Sequence, residues 1–157
     1  MYKLCAQIEE DCYRYALRKI WDLRKPEITV IMLNPSTADK YNDDHTVKKL
    51  RTICGAHGYG GFEILNLFAY RATNPKELYD LEVCPIGPKN NDIIEDALKR
   101  SKSLLVAWGN HGKLNDRDKQ VISMFSATNN IFCLGKNKNG TPKHPGHLSN
   151  RERFKFF

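Results

Sequence analysis

The apolar run at residues 28–33 decides the fold class more than any other segment. Its residues, Ile-Thr-Val-Ile-Met-Leu, are rich in β-branched side chains and show no polar face. A continuous apolar strand is typical of a sheet covered on both sides, because both of its faces must then leave water. The run therefore predicts a buried central strand, which Asn34-Pro35-Ser36-Thr37 follows directly.

Three further apolar runs, at residues 62–67, 104–108 and 131–134, predict strands of the same kind. Amphipathic segments between the runs predict helices: residues 47–54 behind an acidic cap in Asp43-Asp44-His45-Thr46, residues 92–101 behind a capping box at Asp92, and residues 116–125. Residues 13–21 suit a strand or a short helix, and we favour a strand. A long loop should run through Pro75, Pro85 and Pro88, and the segment from Gly135 should be irregular.

Strands that alternate with helices predict right-handed crossovers and a parallel sheet. We therefore expect an α/β fold, a three-layer α/β/α sandwich around a central, mainly parallel four-stranded sheet. A chain of 157 residues is long enough for one domain and short for two, so residues 1–157 should form a single domain. Ligands of such sheets bind outside the carboxyl ends of the strands, where Asn34, Asn66 and Trp108-Gly109 fall.

Composition narrows the class of partner. Lys and Arg outnumber Asp and Glu by 25 to 18, and the net charge of +7 favours a phosphate-rich partner. The five cysteines are widely spaced, so we expect reduced thiols and neither a metal nor another cofactor. The sequence has no long apolar segment and no signal-peptide pattern, from which we expect a cytoplasmic monomer that does not enter a membrane.

Four short motifs carry the chemistry. They are Asn34-Pro35-Ser36, Ile64-Leu65-Asn66-Leu67, Val106-Ala107-Trp108-Gly109 and His144-Pro145-Gly146-His147-Leu148-Ser149. Together with Asn-Pro-Ser-Thr-Ala-Asp and Asn-Leu-Phe-Ala-Tyr-Arg-Ala-Thr segments, they resemble an uncharacterised bacterial and phage family of unknown function. The order of the four motifs in turn resembles that of the uracil-DNA glycosylase superfamily.

That resemblance implies a monofunctional DNA glycosylase acting on a flipped nucleotide. Asn34 matches the residue that positions the attacking water, and Asn66 the amide that reads the base edge. His144 matches the histidine that stabilises the departing base, and Leu148 the wedge that fills the emptied stack. Ser36 replaces a tyrosine or glycine of that superfamily, which suggests room for a C5-substituted or otherwise modified pyrimidine.

Other residues near these motifs complete the predicted site. We expect Pro35 and Phe68 to help bind the base and Ser149, Gly109, Arg71 and Lys143 to contact DNA. Asp43 and Asp44 either cap the first helix or contact the sugar, and Lys48, Lys49 and Arg51 form a solvated helix face or a phosphate-binding patch.

Each motif also has a plainer interpretation. Asn34-Pro35 suits a turn that ends a strand, Asn66 a buried amide satisfied by backbone, and Trp108 a core side chain. His144 and His147 have the spacing of metal ligands, but no cysteine lies nearby. Two other functional classes stay open: a nucleic-acid or nucleotide-binding module without efficient hydrolysis, and a hydrolase of free nucleosides or nucleotides that uses Asp43 or Asp44.

Overall fold

The fold is mixed α/β, and the structure, a computed structural model, describes residues 1–79, 82 and 84–157. The strands are β1 (Leu4–Glu10), β2 (Tyr13–Ile20), β3 (Glu27–Met32), β4 (Gly61–Asn66), β5 (Ser103–Val106), β6 (Asn130–Cys133) and β7 (Lys155–Phe156). The α-helices are α1 (His45–Ala56), α2 (Asn90–Arg100) and α3 (Arg117–Ile122). Short 3-10 helices span Pro75–Tyr79, Asn110–Asp116 and Pro145–His147.

All the described strands join one mixed sheet in the order β1-β2-β4-β3-β5-β6-β7. The four strands from the apolar runs, β3 to β6, are parallel to one another. As predicted, β3 is a central strand, and its neighbours are β4 and β5. The predicted strand count was wrong, because the sheet has seven strands instead of four. Antiparallel strands add to both edges: the β1–β2 hairpin beside β4, and β7 beside β6.

The strand interpretation of residues 13–21 is confirmed by β2, which pairs antiparallel with β1 and β4. Ile8 pairs with Ala16 while Glu9 pairs with Arg14, so Tyr15 is an extra residue that forms a bulge in β2. Side chains alternate between faces along a regular strand, and a bulge shifts that alternation by one residue. Arg14 consequently shares the face of Leu17, the face covered by α1.

Helices cover both faces of the sheet. On one face, α1 contributes Val47, Leu50, Ile53 and Cys54 to a core that includes Val30. On the other face, α2 and α3 pack against a second core. No helix in the described ranges is long and apolar enough to cross a membrane.

Two local predictions for helices have different outcomes. Asp44 caps α1 as expected, accepting a hydrogen bond from the Val47 backbone N–H at 2.8 Å. The capping box at Asp92 was wrong, since α2 begins at Asn90 and has no side-chain cap. Asn90 is instead buried, and its Nδ2 donates to the carbonyl oxygens of Asn66 and Leu67.

The connection before α2 was predicted as one long loop. It contains the 3-10 helix Pro75–Tyr79, while residues 80, 81 and 83 of the predicted loop lie outside the described residues. The segment from Gly135 is mostly irregular, as expected, but it ends in the edge strand β7.

Candidate functional site

The carboxyl ends of the parallel strands meet at one edge of the sheet, where two adjoining depressions lie. The first, called the inner cavity below, has a volume of about 60 Å³ and reaches down to Met32, Ile64 and Asn66. The second, the outer cleft, has a volume of about 450 Å³ and extends over Trp108 and Gly109. The residues that line both are Asn34, Ser36, Asp44, Thr46 and His144.

Asn34 lies just past the end of β3, with its amide held from one side. Its Nδ2 donates to the carbonyl oxygens of Pro35 at 3.0 Å and Ala72 at 2.7 Å. The Ala72 backbone N–H in turn donates to the Pro35 carbonyl oxygen at 3.0 Å. Because the amino group is occupied, the carbonyl oxygen Oδ1 is the end of Asn34 left to accept a hydrogen bond from a ligand or water.

Asn66 closes the floor of the inner cavity at the last residue of β4 and is 2% exposed. Its backbone carbonyl accepts a hydrogen bond from Asn90, but its side-chain amide bonds to no described residue. The donor and acceptor of this amide are thus available to whatever enters the cavity.

His144 lines both the inner cavity and the outer cleft. Its Nδ1 accepts a hydrogen bond from the Gly146 backbone N–H at 3.0 Å, so the neutral ring carries its proton on Nε2. Burial lowers the pKa of His144 below its ordinary value, His147 and Lys49 lower it further, and Asp44 opposes them. The imidazole is therefore a neutral hydrogen-bond donor at neutral pH.

The position of His144 depends on a glycine and a lysine. Gly109 has a φ of +76°, and a Cβ there would lie 3.3 Å from the Cβ of His144. Lys49 of α1 donates to the carbonyl oxygens of Gly146 at 3.1 Å and Leu148 at 2.6 Å, which fixes the loop on the helix. Lys49 is thus an anchor for the loop, whereas its neighbour Lys48 is exposed.

The two acidic residues before α1 have different environments. Asp43 pairs with Lys19, whose side chain is fully buried, and accepts a hydrogen bond from the Tyr2 hydroxyl, so it lies in a structural cluster away from both depressions. Asp44 caps α1 through Oδ1 and also lines the inner cavity and the outer cleft. Of the pair, only Asp44 is placed where it can meet a ligand.

The structure brings some of the predicted base-binding residues together and not others. Ser36 lines both depressions, as its place after Asn34-Pro35 suggested. Pro35 is buried beside them and contributes its carbonyl oxygen to the Asn34 and Ala72 hydrogen bonds. Phe68 is fully buried in the core under α2 and α3, so it packs the fold and does not line the cavity.

The predicted DNA-contacting residues are scattered. Leu148 is half-buried against the core under α1, and Ser149 is exposed beside it. Arg71 forms an ion pair with Glu9 at 2.6 Å. The Gly109 N–H donates to the Pro142 carbonyl at 2.9 Å and is not free for a phosphate, and the Lys143 side chain lies near Gly135.

Arg14 belongs to the site although the sequence interpretation did not select it. The residue is 3% exposed and lines the inner cavity, and its Nε and Nη1 have no hydrogen-bond partner among the described residues. The pKa of Arg14 is lowered to about 10, mainly by burial and then by the charge of Arg71, while Asp44 and Glu9 oppose the shift. In the sequence, the one sign of a special role for Arg14 is a charged residue inside a predicted strand. The bulge at Tyr15, which the sequence does not reveal, decides on which face of the sheet Arg14 lies.

A second buried donor lines the outer cleft. Trp108 is 1% exposed, and its indole Nε1 has no partner in residues 1–79, 82 and 84–157. Gly112 allows the ring to pack here, since a Cβ at that position would lie 2.2 Å from Trp108 Cδ1. The core interpretation of Trp108 and a role at the cleft wall are therefore compatible.

A metal centre finds no support in the described part of the chain, where no three His, Cys, Asp or Glu side chains are grouped to hold an ion. In the pair suggested by spacing, His144 uses Nδ1 for the Gly146 N–H and His147 is exposed at the outer cleft.

Fold and site together define an α/β protein with a cavity lined by polar side chains at the carboxyl edge of its parallel strands. The chain belongs to the family described as protein of unknown function (DUF1643), whose model matches residues 14–146. That range includes Arg14, Asn34, Asn66 and His144. No curated protein matches the chain. No solved structure matches it either.

Proposed function

We propose that this protein hydrolyses the N-glycosidic bond of a pyrimidine nucleotide in DNA. The observation that carries the proposal is that Asn34, Asn66 and His144, which come from three separate segments, line the same inner cavity. These are the residues that the glycosylase resemblance selects. The net charge of +7 supports a polyanionic partner. The proposal includes a uracil-DNA-glycosylase-like α/β/α sandwich, supported by the parallel strands β3 to β6 and the helices on both faces.

Size determines how a nucleotide would enter. The inner cavity of about 60 Å³ is much smaller than the roughly 300 Å³ or more of typical ligand pockets, so it would receive the base edge alone. The rest of the nucleotide would lie in the outer cleft of about 450 Å³. This placement requires the nucleotide to leave the base stack, as in other enzymes that act on a base.

In the proposed reaction the bond between C1′ and the base nitrogen breaks, and its electron pair leaves with the base. The Nε2–H of His144 donates a hydrogen bond to the base carbonyl oxygen where negative charge develops, which is the kind of interaction that lowers barriers most. Asn34 Oδ1 orients a water molecule whose oxygen bonds to C1′ and whose proton passes to the departing base or to solvent. Asn66 fixes the base edge through its unengaged amide.

Ser36 shapes the choice of base in this proposal. The serine lines both depressions and is small, so a substituent at pyrimidine C5 has room there. We therefore expect thymine or a C5-substituted cytosine to be excised at least as well as uracil. A strict preference for uracil would contradict this expectation.

The test is to incubate the protein with oligonucleotides that carry uracil, mismatched thymine, or methyl-, hydroxymethyl- and glycosyl-substituted cytosine, and to detect abasic sites by alkaline cleavage. We expect base release by the native protein and a loss of about 10²- to 10³-fold in His144→Ala. The variant, purified identically, controls for contaminating glycosylases. Equal release by both proteins, or none from any substrate, would contradict the proposal.

Asp44 supports a second candidate, a hydrolase of free nucleosides or nucleotides. One carboxylate oxygen caps α1, while the residue lines both depressions and could activate water. Asp44→Asn separates the two, because asparagine is an equally good helix cap but a poor base. Loss of nucleoside hydrolysis in Asp44→Asn would favour the second candidate, whereas a DNA-specific activity that survives the change would favour the first.

A further inference from the structure

The inner cavity contains two opposite charges that do not meet. The described residues give the Arg14 guanidinium no ion pair and its Nε and Nη1 no hydrogen bond, and Asp44, whose Oδ1 caps α1, lines the same cavity. A bare anion would satisfy Arg14 but would face the Asp44 carboxylate. A neutral ring that presents acceptors on one side and a donor on the other would satisfy both.

Arg14 supplies adjacent donors on a rigid plane, which suits two neighbouring acceptors. Asn66 and Asp44 supply acceptors on the remaining cavity wall. The pairing edge of cytosine has this complementary order, with acceptors at O2 and N3 and an amino donor at N4. The edge of uracil or thymine instead places an N–H donor at position 3, between two acceptors, where it would oppose the guanidinium.

We propose that Arg14, together with Asn66 and Asp44, makes the inner cavity selective for a cytosine-type base edge over a uracil- or thymine-type edge. This inference rests on the proposed function, because it assumes that a base edge enters the cavity. It gives the unpaired guanidinium a partner, and it combines with the space beside Ser36 to make a C5-substituted cytosine the preferred base.

The bulge in β2 is what builds this selectivity. In a regular strand without the bulge, Tyr15 would count in the alternation and Arg14 would lie on the face of Ala16, away from α1 and the cavity. The Arg14 backbone N–H donates to the Ala69 carbonyl oxygen at 2.9 Å, which fixes this end of β2 near the carboxyl end of β4. Bulges that redirect a side chain are common next to functional sites.

The experiment compares two single-stranded oligonucleotides that differ at one central nucleotide, 5-methyl-2′-deoxycytidine or thymidine. Both bases carry the same C5 methyl group, so the pair isolates the edge at positions 3 and 4, and phosphate contacts cancel in the ratio of dissociation constants. We expect about 10- to 100-fold tighter binding of the 5-methylcytosine strand. The ratio should fall to about 1 in Arg14→Met and to an intermediate value in Arg14→Lys, which keeps the charge but loses the planar fork.

Equal or tighter binding of the thymidine strand, or an unchanged ratio in Arg14→Met, would overturn the inference. If abasic sites still form in that case, the proposed function stands and only the selectivity is wrong. If the expected ratio is found without any base release, the selectivity stands and the hydrolysis is wrong. Failure of both strands to bind would overturn both.

Discussion

Replacing Arg14 by methionine should stabilise the fold while it removes base selectivity. A buried charge without a partner opposes folding, because the unfolded chain returns the guanidinium to water. Arg14 has no partner in the part of the chain that the structure describes, and only 3% of it is exposed. Methionine fills similar space with a flexible apolar side chain.

The size of the effect follows from the shift in the pKa of Arg14. Burial lowers it to about 10, from an ordinary value of about 12.5. One pKa unit corresponds to about 1.4 kcal/mol, so at pH 7 the folded chain holds the proton about 3 kcal/mol less favourably than the unfolded chain. This destabilisation of the folded state is complete below pH 10 and fades as the pH rises towards about 12.5, the pKa of arginine in the unfolded chain. Allowing for imperfect packing, we expect Arg14→Met to raise the free energy of unfolding by about 1–3 kcal/mol.

Urea unfolding at pH 7, followed by circular dichroism, measures this difference. Arg117 is the matched control, because it is equally buried but donates to the Leu67 carbonyl at 2.8 Å and to Asn91 Oδ1 at 2.8 Å. The pKa of Arg117 is also lowered to about 10, mainly by burial, but Arg117→Met loses two charged hydrogen bonds, so it should leave the fold about 3 kcal/mol or more less stable than Arg14→Met does. Destabilisation by Arg14→Met of similar size to that by Arg117→Met would refute the reasoning and make Arg14 a structural residue.

Three further predictions concern the loop that holds His144. Gly109→Ala should abolish base release and lower the free energy of unfolding more than Gly140→Ala does, because both glycines have positive φ but only a Cβ at position 109 meets His144. An equal decrease in the two variants would show that a Cβ at position 109 does not crowd His144. Lys49→Ala should lower the free energy of unfolding by about 2 kcal/mol in a urea titration, since two charged hydrogen bonds are lost, and the exposed Lys48→Ala should change it little. In an NMR titration, His144 should gain its second proton below pH 6.5, because burial lowers its pKa. The folded state should lose stability as the pH falls through 6.5, because the unfolded chain binds that proton first. A titration midpoint above 6.5 would contradict this effect of burial.

The parallel part of the fold could be predicted because its signals are local. The apolar runs behind β3 to β6 and the Asp44 cap each depend on a few adjacent residues. The sheet edges could not be predicted in the same way. The strand β1, Leu4–Glu10, is mostly exposed, so it has no continuous apolar run, and it forms by pairing with β2.

The candidate site shows the same division between local and distant signals. Asn34, Asn66 and His144 were selected by motif, and they do line one cavity. The ion pair of Asp43 with Lys19 and the burial of Phe68 depend on residues distant in the sequence, which composition and spacing do not reveal. For Asp44 the sequence favoured the capping role and left a contact with the sugar open; the structure shows Asp44 capping α1 and lining both depressions.

The two buried arginines lead to different conclusions about why each is present. Arg117 is explained by stability alone, since its guanidinium donates to the Leu67 carbonyl oxygen and to Asn91 Oδ1. Arg14 has no such explanation, because an apolar residue at its position would relieve an unpaired charge, and a bulge is needed to bring it to the cavity. A side chain that opposes folding and faces a cavity lined by unengaged polar groups is accounted for by a ligand that satisfies it. Arg14, and not the motif residues alone, is therefore the residue through which the proposed substrate can be identified.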